Sequence, residues 1–167
     1  MKQNQKILIF SLLSIACIGC DRVTKNLAKE HLQNREPLSY FHDTFRLEYA
    51  ENSGAFLSFG ADWPQFAGLL MFTILPLGLL SALFIYAIKK SGKISYSKMT
   101  ALSLVFAGGV GNLADRIVYN KHVTDFLNIG INGIRTGIFN FADLFVSTGV
   151  LLLLLLQFRE KKDITVM

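Results

Sequence analysis

The sequence contains one short pattern twice, Asn-x-Ala-Asp, at Asn112–Asp115 and again at Asn140–Asp143. In a helix, residues three apart share a face, so each asparagine lies beside its aspartate. Two carboxylates that meet in a nearly dry environment cannot both ionise, and they share one proton at neutral pH. Such a pair suits hydrolysis, because one carboxylate takes a proton from water while the other donates a proton to a carbonyl oxygen.

The composition places these aspartates in a membrane protein. Of the 167 residues, 51% are hydrophobic and 17% are charged, whereas soluble domains average about 25% charged residues. The apolar residues are gathered into runs, which is what a bilayer span requires. The net charge of +5 therefore does not indicate a soluble nucleic-acid binder. We expect one integral membrane domain over residues 1–167.

Four apolar runs predict an all-α membrane protein with four transmembrane helices. The predicted spans are about 7–26, 66–88, 99–118 and 138–158, each long enough to cross about 30 Å of hydrocarbon. Gly108, Gly109 and Gly111 in the third span favour close helix packing. The two Asn-x-Ala-Asp patterns lie at the end of the third span and at the start of the fourth. We therefore expect them to meet across one short loop.

Basic residues outside the spans predict the orientation. They precede the first span, fill the gap between the second and third spans, and follow the fourth: Lys2, Lys6, Lys89, Lys90, Lys93, Lys98, Arg159, Lys161 and Lys162. By the positive-inside rule, these segments and both termini are cytoplasmic. The aspartates then lie at the outer face.

The first span allows a second interpretation. Its basic start, hydrophobic stretch and Ile18-Gly19-Cys20 resemble a cleavable lipoprotein signal. A transmembrane helix that continues through Asp21 and Lys25 is the alternative that we favour. Cys17 and Cys20 lack a partner pair for a metal site and are expected to pack as buried thiols.

The outer segment over about 38–62 predicts a small β-rich, extracytoplasmic unit. Phe45, Leu47 and Tyr49 alternate with charged residues, as in a half-buried strand. Asn52-Ser53-Gly54 indicates a turn, and 55–59 is the expected return strand. The aromatic residues here also suit an interfacial belt.

Other hydrolytic chemistries find no support. His31, His42 and His122 show no metal-ligand spacing, and no serine lies in a nucleophile context. We therefore expect neither a metal nor another cofactor.

Five blocks in this order resemble bacterial lipoprotein signal peptidase, the signal peptidase II family of aspartic peptidases. They extend from the first span to the fourth: Asp21–Lys25, Glu51–Phe56, Gly108–Arg116, Val123–Phe126 and Phe139–Asp143. The resemblance implies a membrane endopeptidase that removes the signal peptide from diacylglyceryl-modified prolipoproteins, cutting before the lipidated cysteine. It also implies an inner-membrane location.

The resemblance assigns roles to residues. Asp115 and Asp143 would be the catalytic dyad. The supporting or substrate-binding residues would be Asn52, Gly54, Asn112, Arg116, Asp125 and Asn140, whereas Asp21 and Lys25 would be structural. Leu144 departs from the family, which commonly has a small hydroxyl residue after the second aspartate.

The expected partners are prolipoprotein substrates and membrane lipid, with no nucleic acid and a monomeric chain. Two alternatives stay open at this point. One is a small transporter or a proton or ion relay that uses the same aspartates. The other is a non-catalytic membrane adaptor in which these aspartates only pair helices. Proton-linked flux in vesicles would favour the relay.

Overall fold

The computed structural model describes residues 2–54, 59–131 and 133–165, with side chains described as far as residue 159. Four long helices and four strands make up these parts. In chain order the elements are α1 (Lys2–Leu32), β1 (Leu38–Tyr40), β2 (Phe45–Asn52), α2 (Gln65–Lys90), α3 (Tyr96–Val118), β3 (Val123–Ile131), β4 (Ile134–Arg135) and α4 (Phe141–Thr165).

The four helices are long and apolar enough to cross a membrane, which confirms the predicted fold class. Large apolar side chains such as Leu12, Leu79 and Leu155 are more than half exposed, as lipid-facing residues are. Helix α1 has 31 residues and is therefore about 46 Å long. Because it exceeds the hydrocarbon thickness, its C-terminal turns, which include Asp21, Arg22 and Lys25, extend toward the sheet.

Helix α2 changes its geometry where proline interrupts the hydrogen-bonding ladder. A π-helical turn, Leu70–Ile74, lies just before Pro76, which is in the first turn of the α-helical segment Leu75–Lys90. Proline has no N–H to donate, and membrane helices tolerate this through local adjustments of this kind.

Small residues bring α3 and α4 into close contact. A Cβ added at Gly108 would lie 2.2 Å from the carbonyl oxygen of Ala142, and one added at Gly149 would lie 2.7 Å from that of Ala101. Ala107 and Ala142 are fully buried. The predicted close packing at Gly108 is thus confirmed, and it places the first turn of α4 directly against α3.

The strands form one antiparallel sheet in the order β1-β2-β3-β4. In the β2–β3 pair, Ala50 lies opposite Asp125 and Asn52 lies opposite Val123. The sheet packs on the C-terminal end of α1 through a buried cluster that includes Ala28, Leu32, Phe126 and Leu127. This contact places the sheet at the same end of the helix bundle as the C-terminus of α3 and the N-terminus of α4.

The prediction of the β-rich unit was incomplete. The half-buried strand at Phe45, Leu47 and Tyr49 is confirmed as β2. The expected return strand over 55–59 falls mainly on residues outside the described parts. In the described parts, β2 pairs with β1 on one side and with β3 on the other. Strand β3 comes from the loop between the third and fourth spans, where no strand was predicted.

Candidate active site

A cleft of about 180 Å³ lies where the C-terminal end of α3 and the N-terminal end of α4 meet β2 and β3. Polar side chains from all four elements line it, together with two apolar residues: Asn52, Asn112, Arg116, Val123, Asp125, Ile138 and Asp143. A volume of this size accepts several water molecules or a short stretch of extended chain.

The start of α4 explains how the second Asn-x-Ala-Asp pattern holds its aspartate. The Asp143 backbone N–H donates to Asn140 Oδ1 at 3.0 Å, and the Asn140 N–H donates to Asp143 Oδ2 at 3.0 Å. This is a reciprocal capping arrangement, in which an N-terminal side chain and the residue three positions on satisfy each other's backbone. It fixes the Asp143 carboxylate at the positive end of the helix dipole.

The two asparagines of the repeated pattern hold two carboxylates at the cleft. Asn112 Nδ2 donates to Asp143 Oδ1 at 2.8 Å, and Asn140 Nδ2 donates to Asp125 Oδ1 at 2.6 Å. Asn140 therefore contacts both Asp143 and Asp125. Asn52, from β2, donates to the other oxygen of Asp125 at 3.1 Å.

Asp125 reaches this position through the chain reversal that follows α3. Asn120 and Lys121 adopt positive φ angles of 50° and 75°, a conformation that asparagine accepts more readily than most residues. Strand β3 then begins at Val123. Because side chains alternate along a strand, Asp125 faces the cleft while Phe126 faces the apolar cluster on α1.

The environment of Asp125 favours a retained proton. Burial raises its pKa to about 6, and the negative charge of Asp143 acts in the same direction. The hydrogen bonds from Asn52 and Asn140, and the charge of Lys25, oppose this rise only in part. Asp125 therefore keeps its proton to a higher pH than an ordinary carboxyl group does, and a carboxyl pair that holds one proton is the state that acid–base hydrolysis requires.

Asp115 occupies a different position from the one that the repeated pattern suggested. Its side chain is fully buried, with ion pairs to Arg22 at 2.7 Å and to Lys25 at 2.8 Å. It does not line the described cleft. The side chains of Lys25 and Asn112 connect it to Asp143. The geometry thus pairs Asp143 with Asp125, which the sequence had placed among the supporting residues.

The remaining predicted residues contribute to the frame of the cleft. Asp21 Oδ1 accepts from the backbone N–H of Ala142 at 2.9 Å, which joins α1 to the start of α4. Asn52 Oδ1 accepts from the N–H of Gly54 at 3.0 Å, and Arg116 Nη2 donates to the Gly54 carbonyl at 2.7 Å. Arg116 therefore holds the chain after β2 against α3.

The comparison with known proteins is decisive for the family. Residues 13–159 match the model of signal peptidase II. The chain belongs to the signal peptidase II family. A lipoprotein signal peptidase of Borrelia hermsii is 32% identical over 95% of this chain and 92% of its own. One from Borrelia turicatae is 31% identical over 99% of both chains.

The fold agrees with this membership in signal peptidase II. A solved bacterial membrane enzyme superposes with a TM-score of 0.77 at 26% identity, covering 96% of this chain and 91% of the other. A second gives a TM-score of 0.72 at 28% identity. The protein is therefore a multi-pass membrane aspartic endopeptidase that cleaves signal peptides from prolipoproteins. The transporter alternative is not supported.

Within the described parts, no group of three or more His, Cys, Asp or Glu side chains could hold a metal ion. Both cysteines are free; Cys17 is buried, as expected for a packed thiol, but Cys20 is exposed. The strand that carries Asp125 was not predicted. The signal available in the sequence was a short run with β-branched and aromatic residues, Val123, Thr124 and Phe126.

Proposed function

We propose that Asp125 and Asp143 are the catalytic dyad of this peptidase. The observation that supports this most directly is the position of Asn140, which binds both carboxyl groups at one cleft. Asp115 is the weaker candidate, because its carboxylate is paired with two cations away from that cleft. We assign Asn52, Asn112 and Asn140 to orienting the dyad.

Hydrolysis needs one proton shared by the pair. The ionised carboxylate takes a proton from water as the water oxygen attacks the scissile carbonyl carbon, and the protonated carboxyl donates to the carbonyl oxygen. The resulting tetrahedral diol then collapses. Its C–N bond breaks as the carboxyl that was protonated by water donates to the leaving nitrogen and the other carboxylate takes a proton from a diol hydroxyl, so that the new carboxyl group forms and the pair again holds one proton.

The proposed substrate is a prolipoprotein whose cysteine already carries a diacylglyceryl group, cut just before that cysteine. A lipid-anchored precursor reaches the cleft laterally from the bilayer, because the cleft lies at the ends of two membrane-spanning helices, the C-terminal end of α3 and the N-terminal end of α4. Apolar faces of the helices are available to its acyl chains. We also propose that the chain acts as a monomer among membrane lipid, with no nucleic-acid partner.

The proposed orientation is that of a bacterial inner-membrane protein with both termini in the cytoplasm. The lysines between α2 and α3, such as Lys90 and Lys93, lie at the end of the bundle opposite to the cleft. A positive excess at that end favours a cytoplasmic position for it. The dyad then lies at the outer face, where the precursor's signal peptide ends.

The experiment is a gel-shift cleavage assay in detergent on one precursor, supplied with and without its diacylglyceryl group. We expect cleavage of the lipidated form alone, and none by Asp143→Asn, which keeps the size of the side chain but cannot act as a base. Equal cleavage of both forms would contradict the proposed substrate. Full activity of Asp143→Asn would contradict the proposed dyad.

A further inference from the structure

Lys25 is a buried cation whose contacts extend from α1 to the proposed dyad. It is 2% exposed. Its Nζ lies 2.8 Å from Asp21 Oδ2 and 2.8 Å from Asp115 Oδ2, and it donates to Asn112 Oδ1 at 3.0 Å. An ammonium group has three N–H donors and no acceptor. Three oxygen atoms therefore surround the ammonium group, and the hydrogen bond among these contacts is the one to Asn112.

This donor-only character determines which way the amide of Asn112 points. An asparagine amide has an oxygen that accepts and a nitrogen that donates. Because Lys25 can only donate, the oxygen of Asn112 must face it, and the nitrogen must face the opposite side. There it donates to Asp143 Oδ1 at 2.8 Å. Asn140 Nδ2 adds a second donor to the same Asn112 oxygen, at 3.2 Å.

We propose that Lys25 is a positioning residue that holds the Asn112 amide nitrogen against Asp143, so that Asp143 is the ionised base of the dyad and Asp125 carries the proton. This inference rests on the proposed dyad and assigns which of its two members is the base and which is the acid. Lys25 touches neither carboxyl group of the dyad in the described contacts and acts through Asn112.

The surroundings of the two carboxyl groups also favour the negative charge on Asp143 and the proton on Asp125. Each carboxyl group accepts a hydrogen bond on both oxygens. Only at Asp143 is one of the donors a backbone N–H at the start of α4, where the helix dipole stabilises negative charge. Asp125 lies on a strand, without such a dipole. Its raised pKa of about 6 agrees with a proton held at this position.

The other charged groups around the dyad come from α3 and α1. Arg116 lines the cleft from α3. Behind Asn112, the cations Arg22 and Lys25 of α1 are matched by Asp21 of α1 and Asp115 of α3. This four-residue cluster is neutral, so loss of Lys25 leaves an excess negative charge facing Asn112.

The test compares Lys25→Met with Arg22→Met, a matched control. Both variants replace a cation that pairs with Asp115, and the two positions lie one helical turn apart on α1, but only Lys25 contacts Asn112. For Lys25→Met we expect kcat to fall about tenfold, with KM within about twofold. The acidic limb of the pH–rate profile should move upward by about one pH unit, as expected on weakening a hydrogen bond to a charged carboxylate.

A purely structural role for Lys25 predicts a different result. Both variants would then lower thermal stability, while each folded enzyme kept the wild-type pH profile. An acidic limb of Lys25→Met that superimposes on those of Arg22→Met and wild type would overturn the proposal. If Lys25→Met does not fold, Asn112→Asp replaces it. That variant keeps an acceptor for Lys25 but turns an oxygen toward Asp143, so its acidic limb should also move upward, and an unmoved limb would overturn the inference.

A second readout does not depend on activity. Carboxyl titration of ¹³C-aspartate-labelled protein in micelles would follow the dyad signals, identified by their loss in Asp125→Asn and Asp143→Asn. We expect the titration of the pair to move upward in Lys25→Met and to stay in place in Arg22→Met. Absence of cleavage by wild type would refute the proposed function alone, whereas an unmoved titration would refute the role of Lys25.

Discussion

The contact between Gly108 and Ala142 offers a quantitative test of how α3 positions the dyad. A Cβ at residue 108 would lie 2.2 Å from the Ala142 carbonyl oxygen and 2.8 Å from a methyl group of Val146. Contacts this short force α3 and α4 apart, and overpacking costs about 1–3 kcal/mol. Gly19, on a lipid-facing side of α1, has nothing within 4 Å of the same added atom. There, alanine should gain about 0.5–1 kcal/mol from helix propensity.

The two alanine variants should therefore differ in free energy of unfolding by about 1.5–4 kcal/mol, with Gly108→Ala the less stable. At roughly 2–4 °C per kcal/mol, this is a difference in Tm of about 3–16 °C in detergent. Cleavage by folded Gly108→Ala should fall about 100-fold, since Ala142 precedes Asp143 and a shift of about 1 Å suffices for such a loss. A Gly108→Ala protein that melts at or above the temperature of Gly19→Ala would refute the reasoning.

Three further predictions concern single side chains. The folded pKa of Asp125 is about 6, above the unfolded value near 4, so the native state binds this proton more tightly than the unfolded chain does. Thermal melts should therefore show that wild type loses stability relative to Asp125→Asn as pH rises from about 4 to 6. Arg46 lies 2.6 Å from Asp43 and, with Ser39, holds the pKa of Asp43 well below its usual range. Asp43→Asn should therefore speed trypsin cleavage after Arg46, and high salt should reduce the difference in cleavage rate between this variant and wild type. Leu144 is 40% exposed and does not line the cleft, so Leu144→Ser should cleave the precursor within about twofold of the wild-type rate.

Local patterns were enough to predict the four helices and the proximity of Asn112, Asn140 and Asp143. Apolar runs identified the four spans, and the repeated pattern correctly brought Asn112, Asn140 and Asp143 together. Both results depend on spacing within one helix or across one short connection. The capping arrangement of Asn140 and Asp143 is likewise local, because it joins residues three apart.

The position of Asp125 could not be derived in the same way. It depends on the pairing of β3 with β2, which are separated by two membrane helices in the sequence. Only this long-range pairing sets Asn52 beside Asp125. The strand was also hard to predict because it follows a turn at Asn120 and Lys121, in a short connection between two predicted membrane spans.

The surroundings of Asp115 could not be derived from local patterns either. Asp115 and Arg116 are adjacent in the sequence, but neighbouring residues on a helix point in different directions. In the fold, Asp115 faces Arg22 and Lys25 of α1, and Arg116 faces Gly54. Which face of α3 meets α1 is a property of helix packing that no single run of residues reveals.

The most direct test of the dyad is the cleavage rate per folded molecule of Asp125→Asn and Asp115→Asn, measured side by side on the diacylglyceryl-modified precursor. Thermal unfolding in the same detergent gives the folded fraction. The account predicts that folded Asp125→Asn does not cleave. It predicts that Asp115→Asn is destabilised through its lost ion pairs, while its folded fraction still cleaves. Wild-type cleavage by folded Asp125→Asn would contradict the account.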